Sequence, residues 1–375
     1  MLVIKAKRML AMLAGWAASV YAAGASADYA LNLRPGVTSI SREAYDLHML
    51  IMWICVVIGV VVFGAIFISI VKHRKSKGAQ PAQFHESTTV EIIWTIIPFL
   101  ILIGMAIPAT KALVAMEDTS NSDLTIKVTG YQWKWGYDYI DDGVSFISSL
   151  ATPKEQIYDM QEKGENYLLE VDKPLVVPTN KKVRLLITAS DVIHAWWVPD
   201  LGMKKDAIPG FVNEMWFQID TEGTYRGQCA ELCGKDHGYM PIVVIAKNEA
   251  DYGKWLSAQK TASDAVAAAA EREWEMSELL ERGEKVYNGT CAACHQANGE
   301  GIPGAFPSIK GSAVATGPAD DHLALVMNGK AGTAMAAFAG QLSDVDLAAV
   351  VTYQRNAWGN SVGDLIQPAE VTAAR

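Results

Sequence analysis

The chain has 375 residues, half of them apolar and 19% charged, with a formal net charge of −9. That length calls for two or three domains rather than one, and the acidic balance argues against a nucleic-acid partner, which would ask for a basic face. The apolar excess lies in three runs near the N-terminus, and the remainder has the composition of ordinary globular sequence.

The first run follows Lys5, Lys7 and Arg8, extends from Met9 to about Ala23, and is succeeded by Ala25-Ser26-Ala27. A basic start, a short apolar stretch and a small-x-small site describe a secretory signal peptide. Residues 1–27 are expected to leave after Ala27, with an uncleaved anchor as the alternative. The second run, Met49 to Val71, and the third, from Ile92, carry no charge as far as Val71 and Thr110 respectively. At ~1.5 Å per residue each can cross a hydrocarbon core of ~30 Å. Between them stands Lys72-His73-Arg74-Lys75-Ser76-Lys77, and positive loops stay in the cytoplasm. Residues 28–118 are therefore expected to form a transmembrane hairpin with helices at about 49–71 and 92–113, and everything that follows to lie outside. Glu91 falls at the cytoplasmic mouth of the second helix, where the helix dipole alone favours an acid.

From Leu124 the pattern changes to period two. Leu124 to Val128, Lys182 to Thr188 and Val212 to Ile219 alternate, Pro241 to Ala246 is an apolar strand candidate, and Asp141-Asp142-Gly143 and Pro178-Thr179-Asn180 supply turns. Short strands so punctuated predict an all-β sandwich or barrel over 119–248.

Within it, Cys229-Ala-Glu231-Leu-Cys233-Gly-Lys-Asp-His237-Gly-Tyr-Met240 gathers two thiols, an imidazole and a thioether, and His194 precedes them at the end of a strand candidate. Soft sulfur with imidazole suits copper or zinc. Structural zinc and a Cys229–Cys233 disulfide are the rival readings. Met240 and the Cys-x3-Cys spacing favour copper, because zinc seldom takes a thioether and its usual knuckle is shorter. Cys55 stands alone in a membrane run.

An Ala-rich stretch over Ser257 to Glu273 predicts a helical or semi-rigid linker, residues 249–277. Beyond it comes Cys291-Ala-Ala-Cys294-His295, the c-type haem attachment pattern, in which two thiols fix the vinyl groups and the histidine is placed for the iron. Gly283 to Tyr287 predicts a helix running into the motif, Asp320 to Asn328 another, and Ser343-Asp-Val-Asp346 a cap opening a last helix to about Ala357. Met335 is the candidate sixth ligand and Met327 its rival, a core methionine by its helical position. His48, His73, His85 and His322 have no companion ligands and are expected at surfaces or interfaces.

Several segments resemble the copper-bearing subunit II of cytochrome c oxidases. The Cys229–Met240 segment is similar to that family's dinuclear CuA motif. Gly130-Tyr-Gln-Trp133-Lys-Trp135-Gly-Tyr137 resembles its aromatic stretch, and Asp191-Val-Ile-His194-Ala-Trp-Trp its first-histidine strand. Ala207-Ile-Pro-Gly210 matches too, and Val90-Glu91-Ile-Ile-Trp94 resembles its second membrane helix. The resemblance covers about residues 40–250. It implies a cupredoxin-like sandwich with copper held by Cys229, Cys233, His194, His237, Met240 and the Glu231 carbonyl. It further implies a magnesium shared between the Glu231 carboxylate and subunit I, electron entry at Trp133, and a proton-path entrance at Glu91. Lys134 departs from the family, where an aromatic residue is usual.

Phe306-Pro307-Ser-Ile-Lys-Gly311 resembles the cytochrome c segment whose proline carbonyl steadies the proximal histidine, and the order of elements over 278–359 is similar to an all-α class I cytochrome c, with 360–375 left as a tail. Covalent haem c on Cys291 and Cys294 with His295 and Met335 as axial ligands is implied; the alanine after Met335 stands where proline is common.

Together these describe a multidomain, multi-pass protein of the bacterial inner membrane with its redox domains on the periplasmic face, resembling the caa3-type oxidases. It would take electrons from a c-type cytochrome or bc1-type donor and pass them, by haem c and CuA, to subunit I of a proton-pumping oxidase, where O2 is reduced to water. Subunit III and membrane lipid are further implied partners. A membrane-anchored electron shuttle or metal-storage protein is the alternative. A nitrous-oxide reductase would need a second large copper domain, and a quinol oxidase subunit would lack the copper ligands.

Overall fold

The computed structural model describes residues 32–80, 83 and 85–375; the expected signal peptide lies outside the described residues. Helix α1, Ser39–Lys72, and helix α2, Thr88–Glu117, are the two apolar helices. Both outrun their uncharged cores. At the start of α1, Thr38 Oγ1 accepts from the Ser41 amide at 2.9 Å and Ser41 Oγ accepts from the Thr38 amide at 3.0 Å, a reciprocal cap that begins the helix ten residues before Met49. The apolar side chains of both helices point outward, Phe63 and Phe99 among them. That is what lipid requires and water penalises.

The outer ends of both helices are tied to the sandwich that follows. The Thr38 hydroxyl donates to the Leu201 carbonyl at 3.0 Å, and Trp216 Nε1 donates to the Ala115 carbonyl at 3.1 Å. Lys205 pairs with Glu117 at 3.0 Å.

The sandwich has ten strands: β1 Leu124–Tyr131, β2 Lys134–Tyr139, β3 Val144–Ser148, β4 Leu175–Pro178, β5 Val183–Ala189, β6 His194–Val198, β7 Met203–Ala207, β8 Asn213–Phe217, β9 Gly223–Cys229 and β10 Pro241–Lys247. One sheet is ordered β3-β2-β1-β5-β8 and the other β4-β10-β9-β6-β7. Most neighbours are antiparallel, but β1 runs parallel to β5 and β4 to β10. The period-two reading holds in detail on β5, where Val183, Leu185, Ile187 and Ala189 are buried and the residues between them are half-exposed. Trp135, Tyr137, Trp196, Phe217 and Ile242 fill the space between the sheets. His194 begins a strand rather than ending one.

The linker is one helix. α4, Glu249–Glu271 (the intervening single turn α3 is Lys154–Ile157), lays Tyr252, Trp255 and Leu256 on the sandwich core. Trp255 stands 5.3 Å from the ring of Tyr139, and Lys260 pairs with Asp142 at 3.0 Å. The last unit is helical: α5 Met276–Thr290, α6 Ala292–His295, α7 Ala313–Thr316, α8 Ala319–Asn328, α9 Asp344–Asn356 and α10 Pro368–Ala374. α5 packs across α9 over Tyr287, Leu347, Val350 and Val351. The segment read as a tail belongs to this core, since Ile366 and Val371 are buried in it. The tail also fixes the linker's end, because the Trp274 amide donates to Gln367 Oε1 and Gln367 Nε2 donates to the Trp274 carbonyl, both at 2.9 Å.

Candidate metal centre and haem-attachment site

Two loops meet at one end of the sandwich. β9 ends at Cys229, the chain turns through Glu231, Cys233 and the single turn His237–Tyr239, and it returns as β10 just after Met240. His194 enters from the start of neighbouring β6, whose Trp196 is the register partner of Cys229.

The donor atoms converge. Cys229 Sγ and Cys233 Sγ are 3.8 Å apart and both cysteines are free. Cys233 Sγ lies 3.4 Å from His237 Nδ1 and 3.5 Å from Met240 Sδ, and Cys229 Sγ lies 3.3 Å from the Glu231 carbonyl oxygen. The ligand atoms of His194, Cys229 and Cys233 lie within 4.8 Å of one another. All three of these residues and Met240 are buried.

His194 carries the clearest sign of a missing partner. Its Nε2 is 2.9 Å from Asp191 Oδ1, whereas its buried Nδ1 has no hydrogen-bond partner among the described residues. A carboxylate that holds one imidazole nitrogen aims the other at a metal and raises its basicity. Burial disfavours the imidazolium, yet Asp191 and Cys229 outweigh burial and keep the pKa above its ordinary value. The thiols are split. Burial raises Cys229, but the neighbouring His194 imidazole and the Ala195 backbone bring it down to about 7; burial and then the Cys229 charge push Cys233 up to about 12. The pair gives up one proton readily and a second only to something that replaces it. Two thiols, two imidazoles, a thioether and a carbonyl oxygen gathered in this way fit a soft transition metal.

Around this site the sequence reading named Trp133 but gave no role to Gln132 or Asp191, which help to hold it. Trp133 Nε1 and Gln132 Nε2 both donate to the Cys233 carbonyl, at 3.1 and 2.9 Å, and the Gln132 amide donates to Asp191 Oδ2 at 2.7 Å. The Asp-x-x-His spacing of Asp191 and His194 was the signal available for one of them.

In the helical unit, Cys291 caps the end of α5 and Cys294 and His295 lie on α6. His295 Nδ1 lies 2.8 Å from the Pro307 carbonyl, which leaves Nε2 for an iron. Met335 sits half-buried in a loop whose backbone is held by the Lys330 amide donating to the Met335 carbonyl at 3.0 Å. Met327 is buried in α8 within the core. His322, expected at a surface, is buried. Among the described residues its Nδ1, with Gln354 Oε1 and Arg355 Nη1, lacks a hydrogen-bond partner. The face of α8 that turns His322 inward is set by packing against α9, and no residue type announces it. His73 and His85 are exposed, and His48 is half-buried on α1. Glu91 is exposed in the first turn of α2.

Fold and site define a membrane-anchored redox protein: a sulfur–imidazole metal site in a β-sandwich, joined to a helical unit with a haem-attachment motif. The comparisons agree. Residues 26–112 match the family model for the cytochrome c oxidase subunit II transmembrane domain, and 124–247 that for its periplasmic domain. Residues 278–353 match the model described as cytochrome c oxidase, cbb3-type, subunit III. A probable cytochrome c oxidase subunit 2 of Rickettsia bellii is 39% identical over 61% of this chain and 84% of its own length. Cytochrome c oxidase subunit 2 of Cereibacter sphaeroides is 36% identical over 60% of this chain and 78% of its own. The crystal structure of the periplasmic domain of subunit II of cytochrome oxidase from Bradyrhizobium japonicum is 42% identical, covering 38% of this chain and 98% of that one, with a TM-score of 0.35. The chain belongs to the cytochrome c oxidase subunit 2 family, with a cytochrome c domain following its periplasmic domain.

Proposed function

We propose that this chain is the electron-input subunit of a haem–copper oxidase of the bacterial inner membrane, with its redox domains on the periplasmic side. The observation that carries this is the convergence of six donor groups around the buried Cys229, Cys233, Met240 and His194, with His194 Nδ1 left unpartnered among the described residues. Cys229 and Cys233 would bridge two coppers, His194 and His237 would each bind one, and Met240 and the Glu231 carbonyl would complete the set. Cys291 and Cys294 would hold haem c covalently, with His295 and Met335 as axial ligands.

Bound there, the two groups supply one-electron carriers between a c-type cytochrome or bc1-type donor and subunit I, where O2 is reduced to water. The residues do the rest. Asp191 fixes the His194 tautomer. Trp133 joins the outer surface to a copper ligand through its hydrogen bond to Cys233. The exposed Glu231 carboxylate is free to share a magnesium with subunit I, and Glu91 stands where a proton path into subunit I would open. Subunit III and lipid complete the surroundings.

The test is metal counting with EPR on the purified, oxidised, copper-loaded chain. Two coppers and one covalent haem, with hyperfine splitting from both copper nuclei, are expected. A single zinc, or a Cys229–Cys233 disulfide without metal, would sink the copper assignment. Isolation without any polytopic haem protein would favour the electron-shuttle reading.

A further inference from the structure

The two arms of the proposed copper site come from separate stretches of chain. His194 opens β6, and Cys233 lies in the loop between β9 and β10. Hydrogen bonds toward both arms converge on one residue at the tip of the β1–β2 hairpin, Gln132. Its Nε2 donates to the Cys233 carbonyl at 2.9 Å, and its backbone amide donates to Asp191 Oδ2 at 2.7 Å. The other oxygen of that carboxylate accepts from the Val192 amide at 2.7 Å and lies 2.9 Å from His194 Nε2. A chain of hydrogen bonds thus runs from the backbone of a thiol ligand to an imidazole ligand, through a residue that is itself no ligand.

At the Cys233 end the grip is close. Trp133 Nε1 donates to the same carbonyl at 3.1 Å, so two donors occupy both lone pairs of that oxygen. A peptide group is planar. Pinning its oxygen pins the Cys233–Gly234 plane and leaves the sulfur little freedom beyond rotation about Cα–Cβ. The following residue must be glycine for the tip to come so near. Gly234 stands at φ +114°, and a Cβ there would lie 3.0 Å from Gln132 Nε2 and 3.1 Å from Trp133 Cζ2. At the other end, two of the three polar contacts of the Asp191 carboxylate lie within three residues of it, and only that of Gln132 comes from another strand.

Gln132 is exposed, so packing in the core does not account for its place. Trp133 shares its hold on Cys233, but Gln132 alone also reaches Asp191. We propose that Gln132 is a positioning residue of the copper site: it ties the Cys233 arm to the Asp191–His194 arm and so sets the spacing of a thiol and an imidazole ligand from outside the ligand set. This rests on the electron-input reading for its spectroscopic consequence, and on the hydrogen bonds alone for its geometry.

The test uses the full chain in detergent. Gln132→Met keeps the length of the side chain and removes its N–H; Gln132→Glu keeps its shape and turns a carboxylate oxygen toward the Cys233 carbonyl. Copper and haem are counted first. In the loaded chain both variants should keep two coppers and the haem, with an altered copper hyperfine pattern. A chelator should strip copper about tenfold faster from the Met variant, as is usual when a partner of a metal ligand is lost, and faster still from the Glu variant. An unaltered spectrum and release rate in the Met variant overturn the proposal. Asp191→Asn, alone and combined with Gln132→Met, then tests the tie. The double variant should release copper several-fold more slowly than the product of the two single effects, because members of one hydrogen-bonded chain do not act independently. Effects that simply multiply would mean that Gln132 serves Cys233 alone, and the tie falls. If the parent chain binds no copper, the electron-input reading fails, and the reduced, metal-free chain decides the geometry. There Cys233, 3% exposed, should be alkylated by iodoacetamide several-fold faster in both variants, as read by peptide mass spectrometry; unchanged alkylation overturns the clasp. A lowered urea midpoint of the sandwich in the metal-free Met variant also counts against it, since the residue would then serve the fold rather than the site.

Discussion

At Gly130 the backbone of β1 passes so close to His194 that a Cβ would stand 2.7 Å from the ring Cδ2 and 3.0 Å from Cγ. No side chain fits there without moving His194, the proposed copper ligand, and overpacking of this kind costs about 1–3 kcal/mol. Gly130→Ala is expected to fold, keep its haem and lose or distort the copper signal; an unaltered EPR spectrum would show that His194 is not held by this contact. His322 offers a second prediction. Burial, then the Arg355 guanidinium, hold its pKa down to about 4, against roughly 6.5 in an unfolded chain. The unfolded state therefore binds the extra proton first as pH falls, so this stability is complete above about pH 6.5 and is lost progressively toward pH 4, by roughly 3 kcal/mol. In urea titrations followed by haem absorbance, the parent chain should lose that much relative to His322→Gln between pH 7 and 4. Parallel pH profiles for the two chains would refute it.

Among the elements, the α5–α9 crossing decides whether the haem-attachment motif is held. A Cβ on Gly283 would strike the Ala349 carbonyl and come within 2.6 Å of Tyr353 Cβ. Alanine normally gains about 1 kcal/mol over glycine in a helix, but a backbone carbonyl cannot swing aside as a side-chain tip can. Gly283→Ala is expected to lower haem-domain stability by about 1–3 kcal/mol, read as a shifted urea midpoint with the copper signal untouched. A rise in stability would mean that the helices part freely. The same packing buries Arg355, which pairs with Asp364 and donates to the Gly317 carbonyl at 2.7 Å. The segment after α9 thereby supplies a counter-charge and belongs to the domain.

For the whole molecule, the linker sets how freely two redox units can move. Trp255 packs on Tyr139 and Phe146 at one end of α4, and Trp274 is clasped by Gln367 at the other. A helix pinned at both ends is a strut, whereas a flexible tether would only raise the local concentration of its cargo. Trp255→Ala removes half-buried aromatic area worth about 1–3 kcal/mol. It is expected to leave both cofactors bound, speed proteolysis within 249–277, and spread the haem-to-copper transfer over several phases. A single unchanged phase would show that α4 is not what fixes the arrangement.

Much of this was legible in the residues. Uncharged apolar runs must be membrane helices, because no other segment of that length survives in lipid, and alternation on β5 must be a sheet face because its period is two. Cys229, Cys233, His237 and Met240 are close in sequence, so a single loop brings them together; Cys291, Cys294 and His295 need only one turn of helix. Asp191, Gln132 and Gly130 escaped notice because their roles depend on β1, β6 and the metal loop meeting from three distant stretches of chain. His322 was misplaced because only the rotation of α8 against α9 turns it inward. Lys134 read as a departure from its family and no more. At the same hairpin tip Tyr131 meets Gly340 of the cytochrome domain, and contacts between residues so far apart in the chain exist only once the whole has folded.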